Sequence, residues 1–440
     1  LPPLDRTTFR PQHRPERQRP VTYHGNDRSP RVGNRELISL PNDSSGKHAR
    51  IPFFFGWVML VICMLIQMAT MPGQTFGISV FNPYLRDSFS LSHSELSGAY
   101  MLGTLLASLP MIYVGALMDR HGPRKTLFAV TIFFGLTCIG MSQTRGLVSI
   151  FFCFLFLRML GQGAMCMLAS NALAMWFNRR LGLAAGVMSL GEAISLGMFP
   201  TLNLILIQSL GWRSAYAALG FCVWAVTLPL LTLAFRNRPA DMGQVIDGGS
   251  VTHKESPAEK TNQVKFRDYT MREAMSTRPY WIMTAATALP SMIITGIHFH
   301  AVQIYVDFGL RPTDAAAMFT TVAASFSVVM VIAGILADRV PLNVLLSIAM
   351  ACLSGGIVLL TQVEDTITSN LFSIVTGGSH GGFYAVMATI WVRYYGRQHL
   401  GKIRGSMTTV GVAASSAGPF VMGIAHDLFG SYNEVLWLFV

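Results

Sequence analysis

Gly115-Ala-Leu-Met-Asp119-Arg120-His-Gly122-Pro-Arg124-Lys125 closes one long apolar run and opens the next. A near copy, Gly334-Ile-Leu-Ala-Asp338-Arg339, does the same half a chain later. In both, a glycine and then a carboxylate end an apolar segment. A carboxylate there can cap a neighbouring helix or pair with the basic residues beside it. Gly115 and Gly122 permit close approach and a tight turn. Two bundles with matching hinges are the pattern of a membrane carrier that exposes a central site to each face in turn.

The composition points the same way. The 440 residues are 51% hydrophobic and only 12% charged, whereas soluble domains carry about 25% charged residues. The formal net charge of +11 is unevenly spread: ten of the 33 Lys and Arg lie in residues 1–50. Most of the rest fall in short segments between apolar runs, as the positive-inside rule places them. That distribution argues against nucleic acid as a partner. Cys63, Cys138, Cys153, Cys166, Cys222 and Cys352 all sit in apolar segments without a CxxC pair, so neither a disulfide nor a metal site is expected. No cofactor-binding or hydrolase motif is present, and no cofactor is expected.

A span needs about 20 apolar residues. Segments near 54–80, 95–117, 126–143, 147–176, 182–208 and 213–235 qualify, then 280–305, 314–336, 342–361, 370–391 and 403–424. A twelfth begins around Glu434 and is expected to be truncated at Val440. The expected fold is all-α: a polytopic membrane protein of two six-helix bundles. Residues 1–52 read as a disordered basic tail, 53–236 as the first half, 237–279 as a cytoplasmic linker and 280–440 as the second half. Within the linker, Lys265–Arg278 reads equally as coil or as an amphipathic surface helix. Arg120, Arg124, Lys125, Arg339 and Arg393 share one side with the basic tail. That side is expected to be cytoplasmic, with the amino terminus inside and the protein in the plasma (inner) membrane.

Polar residues inside the spans are candidates for a solute or proton pathway. Arg158 is the only Lys or Arg deep in a span, and intramembrane charge defaults to function; bracing helix-end carbonyls is its structural reading. Gln162 follows one turn on. Glu192 shares a face with Ser189, Ser195 and Asn203, among glycines suited to helix packing. The helical rise puts Arg158 and Glu192 roughly 12 Å apart in depth, so no direct salt bridge is expected. Gln67, Thr70 and Gln74 form a polar stripe on the first segment, read as cavity lining or interhelical glue. His298 and His300 point apart and so are not one metal site, whereas His300 and Gln303 share a face. A histidine here could couple transport to pH. His380 and Tyr384 share a face beside Gly377, Gly378, Gly381 and Gly382. For all of these, cavity lining and packing both stand.

The spacing G-x-x-x-D-R-x-G-x-R-K at 115–125 resembles the loop signature of the major facilitator superfamily, almost position for position. The resemblance spans about 53–440. It implies a gate in which Asp119, Arg120, Gly122, Arg124 and Lys125 hold the halves together on the cytoplasmic side. Asp338 and Arg339 repeat it, with Val340-Pro341-Leu342 replacing the basic end. Arg158-x-x-Gly161-x-Gly163 resembles a second motif of the superfamily, associated with substrate or proton handling. Arg238-Pro239-Ala-Asp241-Met-Gly243 is similar to the monocarboxylate-porter and oxalate/formate-antiporter branch. So are Tyr394–Gly405, Ser416-Ala-Gly418-Pro419 and Asp427-Leu-Phe-Gly430-Ser-Tyr432. Carriers of that branch commonly place a cation in helix eight or eleven. Here 314–336 holds none, and helix eleven holds none after Arg404.

The expected function is a secondary active transporter working by alternating access on a small-molecule substrate. The leading expectation is proton-coupled symport of a monocarboxylate or related small organic anion, with protons or a counter-substrate supplying energy. Efflux of a neutral or amphipathic metabolite or drug is the alternative, and a transport-fold sensor a further one. An enzyme is not expected, since no paired acids, metal set or nucleophile with base stands at workable spacing.

Overall fold

The computed structural model describes residues 53–178, 180–248, 269–337, 339–395 and 400–440. The tail 1–52, residues 249–268 and Asp338 lie outside them, as does the first part of the expected 265–278 surface helix. Among the described residues the regular structure is entirely helical. Six helices there are long and apolar enough to cross a membrane, and a bent pair makes a seventh if counted as one span.

The first apolar segment is a broken helix. α1 (Gly56–Met68) gives way to a tight turn, Met71–Gly73, before α2 (Thr75–Ser79) and α3 (Asn82–Phe89). Pro72 has no N–H to donate, and Gln74 is extended at φ −84° and ψ 151°, so the ladder stops. The second segment is the bent pair, α4 (His93–Ser108) and α5 (Met111–His121), related by 45°. Ser92 and Glu95 start α4 by a reciprocal capping box, with bonds of 2.9 and 3.1 Å. Gly122, at φ +80°, ends α5 in a conformation that L side chains avoid, and Pro123 then opens α6 (Pro123–Ser142). The fourth segment is α7 (Leu147–Phe156), a π-helical stretch Leu157–Met165, and α8 (Cys166–Trp176). α9 (Leu181–Pro229) holds the fifth and sixth segments, broken at Gly211, where φ is +76°.

The described start of the expected linker is pinned rather than loose. Gln244 accepts from Phe55 N (2.9 Å) and donates to Phe53 O (2.8 Å), and Asp247 accepts from Asn178 N (3.0 Å). The Arg238–Gly243 motif is a turn in which Asp241 accepts from Arg238 N (3.1 Å) and Gly243 takes φ +64°. α10 (Met271–Met275) is a single capped turn. α11 (Arg278–Asp307), α12 (Pro312–Leu336), α13 (Leu342–Leu360), α14 (Thr366–Tyr395), α15 (Leu400–Phe429) and α16 (Asn433–Phe439) complete the chain. Asp365 precedes α14, and the Thr368 N–H and hydroxyl hold its carboxyl below the usual carboxylate range.

Lipid offers helices no hydrophobic reason to associate, so they pack through small residues. A Cβ on Gly418 would lie 2.0 Å from Met292 O, which shows how closely α15 crosses α11. Cβ atoms on Gly377 and Gly381 would each come within 2.4 Å of α12 carbonyls. The 377–382 glycines therefore serve a close crossing. The halves meet where α4 packs on α15, α9 on α12, and α2 on α11. Gly197 marks one of these crossings, and its carbonyl accepts from Thr320 Oγ1 at 2.6 Å. α5 instead packs on α6 and on Leu157–Met165, within its own half. Among the described residues, the second apolar segment thus packs extensively on the other half through α4.

Candidate functional site

A cavity of about 380 Å³ lies between the halves. Gln74, Thr75, Gln162 and Glu192 line it from the first half, and His298, His380, Phe326, Tyr384 and Ser415 from the second. The first-half wall therefore offers amides and a carboxylate, and the second-half wall combines aromatic and imidazole rings with the hydroxyls of Thr287, Ser291, Thr295 and Ser415. Among the described residues no Lys or Arg lines it.

Glu192 is exposed because it faces this opening rather than packed protein. Its helix comes close to the first span at Gly191, whose Cβ would sit 2.4 Å from Met64 Cγ. That proximity lets Gln67 Nε2 donate to Glu192 Oε2 at 3.3 Å. The rest of the polar stripe divides. Gln74 lines the cavity and donates to Thr70 Oγ1 (3.0 Å), while Thr70 is buried and bonds back to Gln67 O (2.7 Å). Ser195 and Asn203, predicted on the Glu192 face, are buried, and Asn203 donates to Gly77 O at 3.2 Å.

Arg158 stands behind the wall rather than in it. It is 4% exposed, and its Nη1 donates to Gly73 O at 3.1 Å and approaches Thr75 Oγ1 at 3.4 Å. Its guanidinium lies 5.1 Å from the centre of the Tyr100 ring. Gly73 O is a carbonyl freed by the break in the first span, so the arginine satisfies a backbone acceptor that the helix cannot. Gly161 of the same motif fits between Phe134 and Thr70 O, with a Cβ position 2.6 Å from Phe134. The Arg158–Gly161 pair thus seats the broken helix on the π-helical stretch, and Gln162 carries that stretch into the cavity. Among the described residues no ion pair joins Arg158 to Glu192.

The histidines part company. His298 and His380 line the cavity, and the His380 and Tyr384 rings lie 4.9 Å apart. His300 and Gln303 lie instead beyond the cavity, in a small recess with Arg86 and His93. There His300 Nε2 bonds Pro419 O (2.9 Å), and Gln303 donates to Asp307 (2.7 Å).

At the other end, Asp119, Arg120 and Lys125 are exposed, and among the described residues none of them has an ion pair. Arg124 is the structural member of the motif. Its N–H groups donate to Leu231 O (2.7 Å) and Thr232 O, capping the end of the sixth segment, and its backbone N donates to Asn237 Oδ1 (3.0 Å). In the second copy Arg339 is exposed, and Asp338 lies outside the described residues.

This arrangement sets the helices of both halves around a shared cavity. It matches the family model described as Major Facilitator Superfamily over residues 50–419. The chain belongs to the Major Facilitator Superfamily. Curated relatives include monocarboxylate transporter 6 of Homo sapiens, 26% identical over 38% of this chain and 33% of that one. A second is the uncharacterized MFS-type transporter YhjX of Escherichia coli K12, 23% identical over 79% of this chain and 82% of that one. A third is the probable sulfoacetate transporter SauU of Cupriavidus necator, 22% identical over 51% and 49%. The first and third matches thus span only a third to a half of those relatives. Among solved structures, an inward-facing, unoccupied bacterial homolog of the human lysosomal transporter Spinster shares the fold. Its TM-score is 0.65 at 15% identity, covering 85% of this chain and 83% of that one. As a superfamily member with transporter relatives and a transporter fold, this protein is an integral membrane transporter and not an enzyme.

Sequence reasoning missed Thr75, Phe326 and Ser415 as lining residues, because nothing in their local pattern marks them. It also missed the partners of His300. Tyr432 and Asp427 were visible in a motif, but Arg86 and His93 sit in a short polar connection with no signature.

Proposed function

We propose that this transporter carries a small organic monoanion together with a proton, by alternating access, with Glu192 exchanging the proton. The observation behind this reading is the charge inventory of the cavity: one carboxylate, two imidazoles, and no cation among its described lining residues. A carboxylate cargo about 4 Å from an ionised Glu192 would be repelled by roughly 4 kcal/mol at an effective dielectric constant near 20. A proton on Glu192 removes that repulsion and turns the carboxyl into a hydrogen-bond donor. Gln74, Thr75, Gln162, His298 and His380 supply further donors, and Phe326 and Tyr384 supply a surface for the apolar part of the cargo. Relatives named for monocarboxylate, sulfoacetate and L-galactonate transport support an anionic cargo. Asp119 and the basic residues around it are read as the latch of the opposite, cytoplasm-closed state, and the Lys/Arg distribution supports a cytoplasmic amino terminus.

A second reading is favoured by the aromatic rings of the second-half wall and the missing cation: export of a neutral or amphipathic metabolite. A fungal relative is named a fujikurins efflux protein.

The test is uptake of labelled lactate, pyruvate, oxalate and formate into proteoliposomes, with and without an inward proton gradient. Parent protein is expected to accumulate a monocarboxylate only with the gradient. Glu192→Gln is expected to lose accumulation while retaining exchange of preloaded substrate. Accumulation by Glu192→Gln equal to the parent would place the proton elsewhere. No uptake and no exchange by the parent would favour the export reading.

A further inference from the structure

The end of the molecule away from Asp119 holds a cluster of titratable groups that the cavity does not use. Arg86 of α3 and His93 of α4 come from the first half. His300 and Asp307 of α11, His426 and Asp427 of α15, and Tyr432 before α16 come from the second. His93 and His300 are 7% and 5% exposed.

The hydrogen bonds order themselves by elementary donor rules. His300 Nε2 lies 2.9 Å from Pro419 O, and a carbonyl only accepts, so Nε2 carries the hydrogen. In a neutral ring His300 Nδ1 is then an acceptor, and Tyr432 Oη, 2.9 Å away, donates to it. The Tyr432 oxygen can then accept from His93 Nδ1, at 2.7 Å. Arg86 Nη1, which has hydrogens and no lone pair to offer, lies against the ring edge, 2.7 Å from Nδ1 and closer still to Nε2; in the tautomer that donates from Nδ1, Nε2 is the nitrogen left to accept from it. The result is one directional chain, Arg86 to His93 to Tyr432 to His300 to Pro419, with both imidazoles neutral.

Such a chain has no room for another proton. Placed on His93 Nε2, it sets N–H against N–H and adds a second positive charge beside Arg86. Placed on His300 Nδ1, it reverses the Tyr432 hydroxyl and drives the His93 hydrogen onto Nε2, with the same conflict. The neighbouring carboxylates are already engaged. Asp427 accepts from His93 N (3.1 Å) and Ser94 N (2.8 Å), Asp307 accepts from His426 (3.1 Å) and Gln303 (2.7 Å), and Glu95 turns back to Ser92 N. His426 stacks on His93 with ring centres 3.8 Å apart, so charge on either ring is felt by the other.

The His93–Tyr432 link and the Asp427 bonds to the start of α4 join the two halves. The geometry points to a proton-sensitive lock: the Arg86–His93–Tyr432–His300 chain holds this end shut while its histidines are neutral, and acid on this side opens it. The inference rests on the chain being a superfamily transporter and is independent of the cargo or of Glu192.

Hydrogen exchange on the purified full-length protein reads the lock without any substrate, because the amides of His93 and Ser94 are protected by Asp427 across the interface. Corrected for intrinsic rates, their protection is expected to fall about tenfold between about pH 7.5 and about pH 5.5. Protection in α6 should stay constant. In His93→Gln/His300→Gln each glutamine can donate and accept like a neutral imidazole but cannot take the proton, so protection should persist at the lower pH. Tyr432→Phe removes the central link and should leave the amides weakly protected at both. Equal protection of the parent at the two pH values would overturn the proposal. So would acid opening of the double glutamine variant, or a parent-like response of Tyr432→Phe.

Discussion

At the His93 end, groups from one half satisfy groups of the other: Asp427 caps α4, Asn82 donates to Phe299 O at 2.7 Å, and Tyr432 bonds His93. At the Asp119 end, the polar residues of the superfamily motif either face solvent or, like Arg124, brace their own half. The glycines tell the same story. A Cβ on Gly423 would strike Ser97 Oγ at 2.4 Å and His93 O at 2.7 Å, whereas Gly115 has nothing within 4 Å. One end is joined by specific bonds across the interface, and at the other no such bond is seen among the described residues. In an alternating-access machine each end must cycle through both conditions. On the proposed latch reading, the motif at 115–125 acts when that end is closed.

The sharpest way to break this comparison is Gly423→Leu. The side chain has no space between α15 and α4, so the His93 end should fail to close and transport should fall to background, as uptake assays would show. Retained uptake would mean that the close approach is dispensable. Asp119→Asn comes next. It should leave the melting temperature within about 1 °C of the parent, because the carboxylate is exposed and has no ion-pair partner among the described residues. Turnover should drop about tenfold, corresponding to ~1.4 kcal/mol removed from the opposite state. A large loss of stability instead would show that Asp119 already has a structural partner in the state seen here. Asp427→Asn keeps the shape but removes a carboxylate from the start of α4, a change of about 1 kcal/mol. Protection of the His93 and Ser94 amides should fall about fivefold, measured by hydrogen exchange. Gly115→Ala should do least to stability: open space and better helix propensity predict a gain of up to about 0.5–1 kcal/mol. Slowed turnover in that well-folded variant would reveal a close approach in the other state.

Much of this was legible without coordinates. Segment boundaries follow from the length and apolarity that a bilayer demands, and the hinge at Gly122-Pro123 follows from what those two residues do to a backbone. Glu192, His298, His380 and Tyr384 could be picked out because polar groups in apolar helices need a reason to be there. Their common cavity was not legible. It requires knowing which faces of helices far apart in sequence converge. Arg158 shows the limit most clearly. Sequence identified it as unusual, but its partner is a carbonyl freed by a helix break at Pro72, 86 positions away in numbering.

What the sequence alone determined is the architecture: apolar length, charge asymmetry and a repeated hinge are local or additive properties, and a membrane reads them one segment at a time. What only the tertiary structure decided is the division of labour among the polar residues. Arg158 went to bracing, His298 to the cavity and His300 to the closed end. Two histidines separated by one residue on a helix face different neighbours, and it is the neighbours, brought in by helix crossings at Gly418, Gly423 and Gly197, that settle what each does.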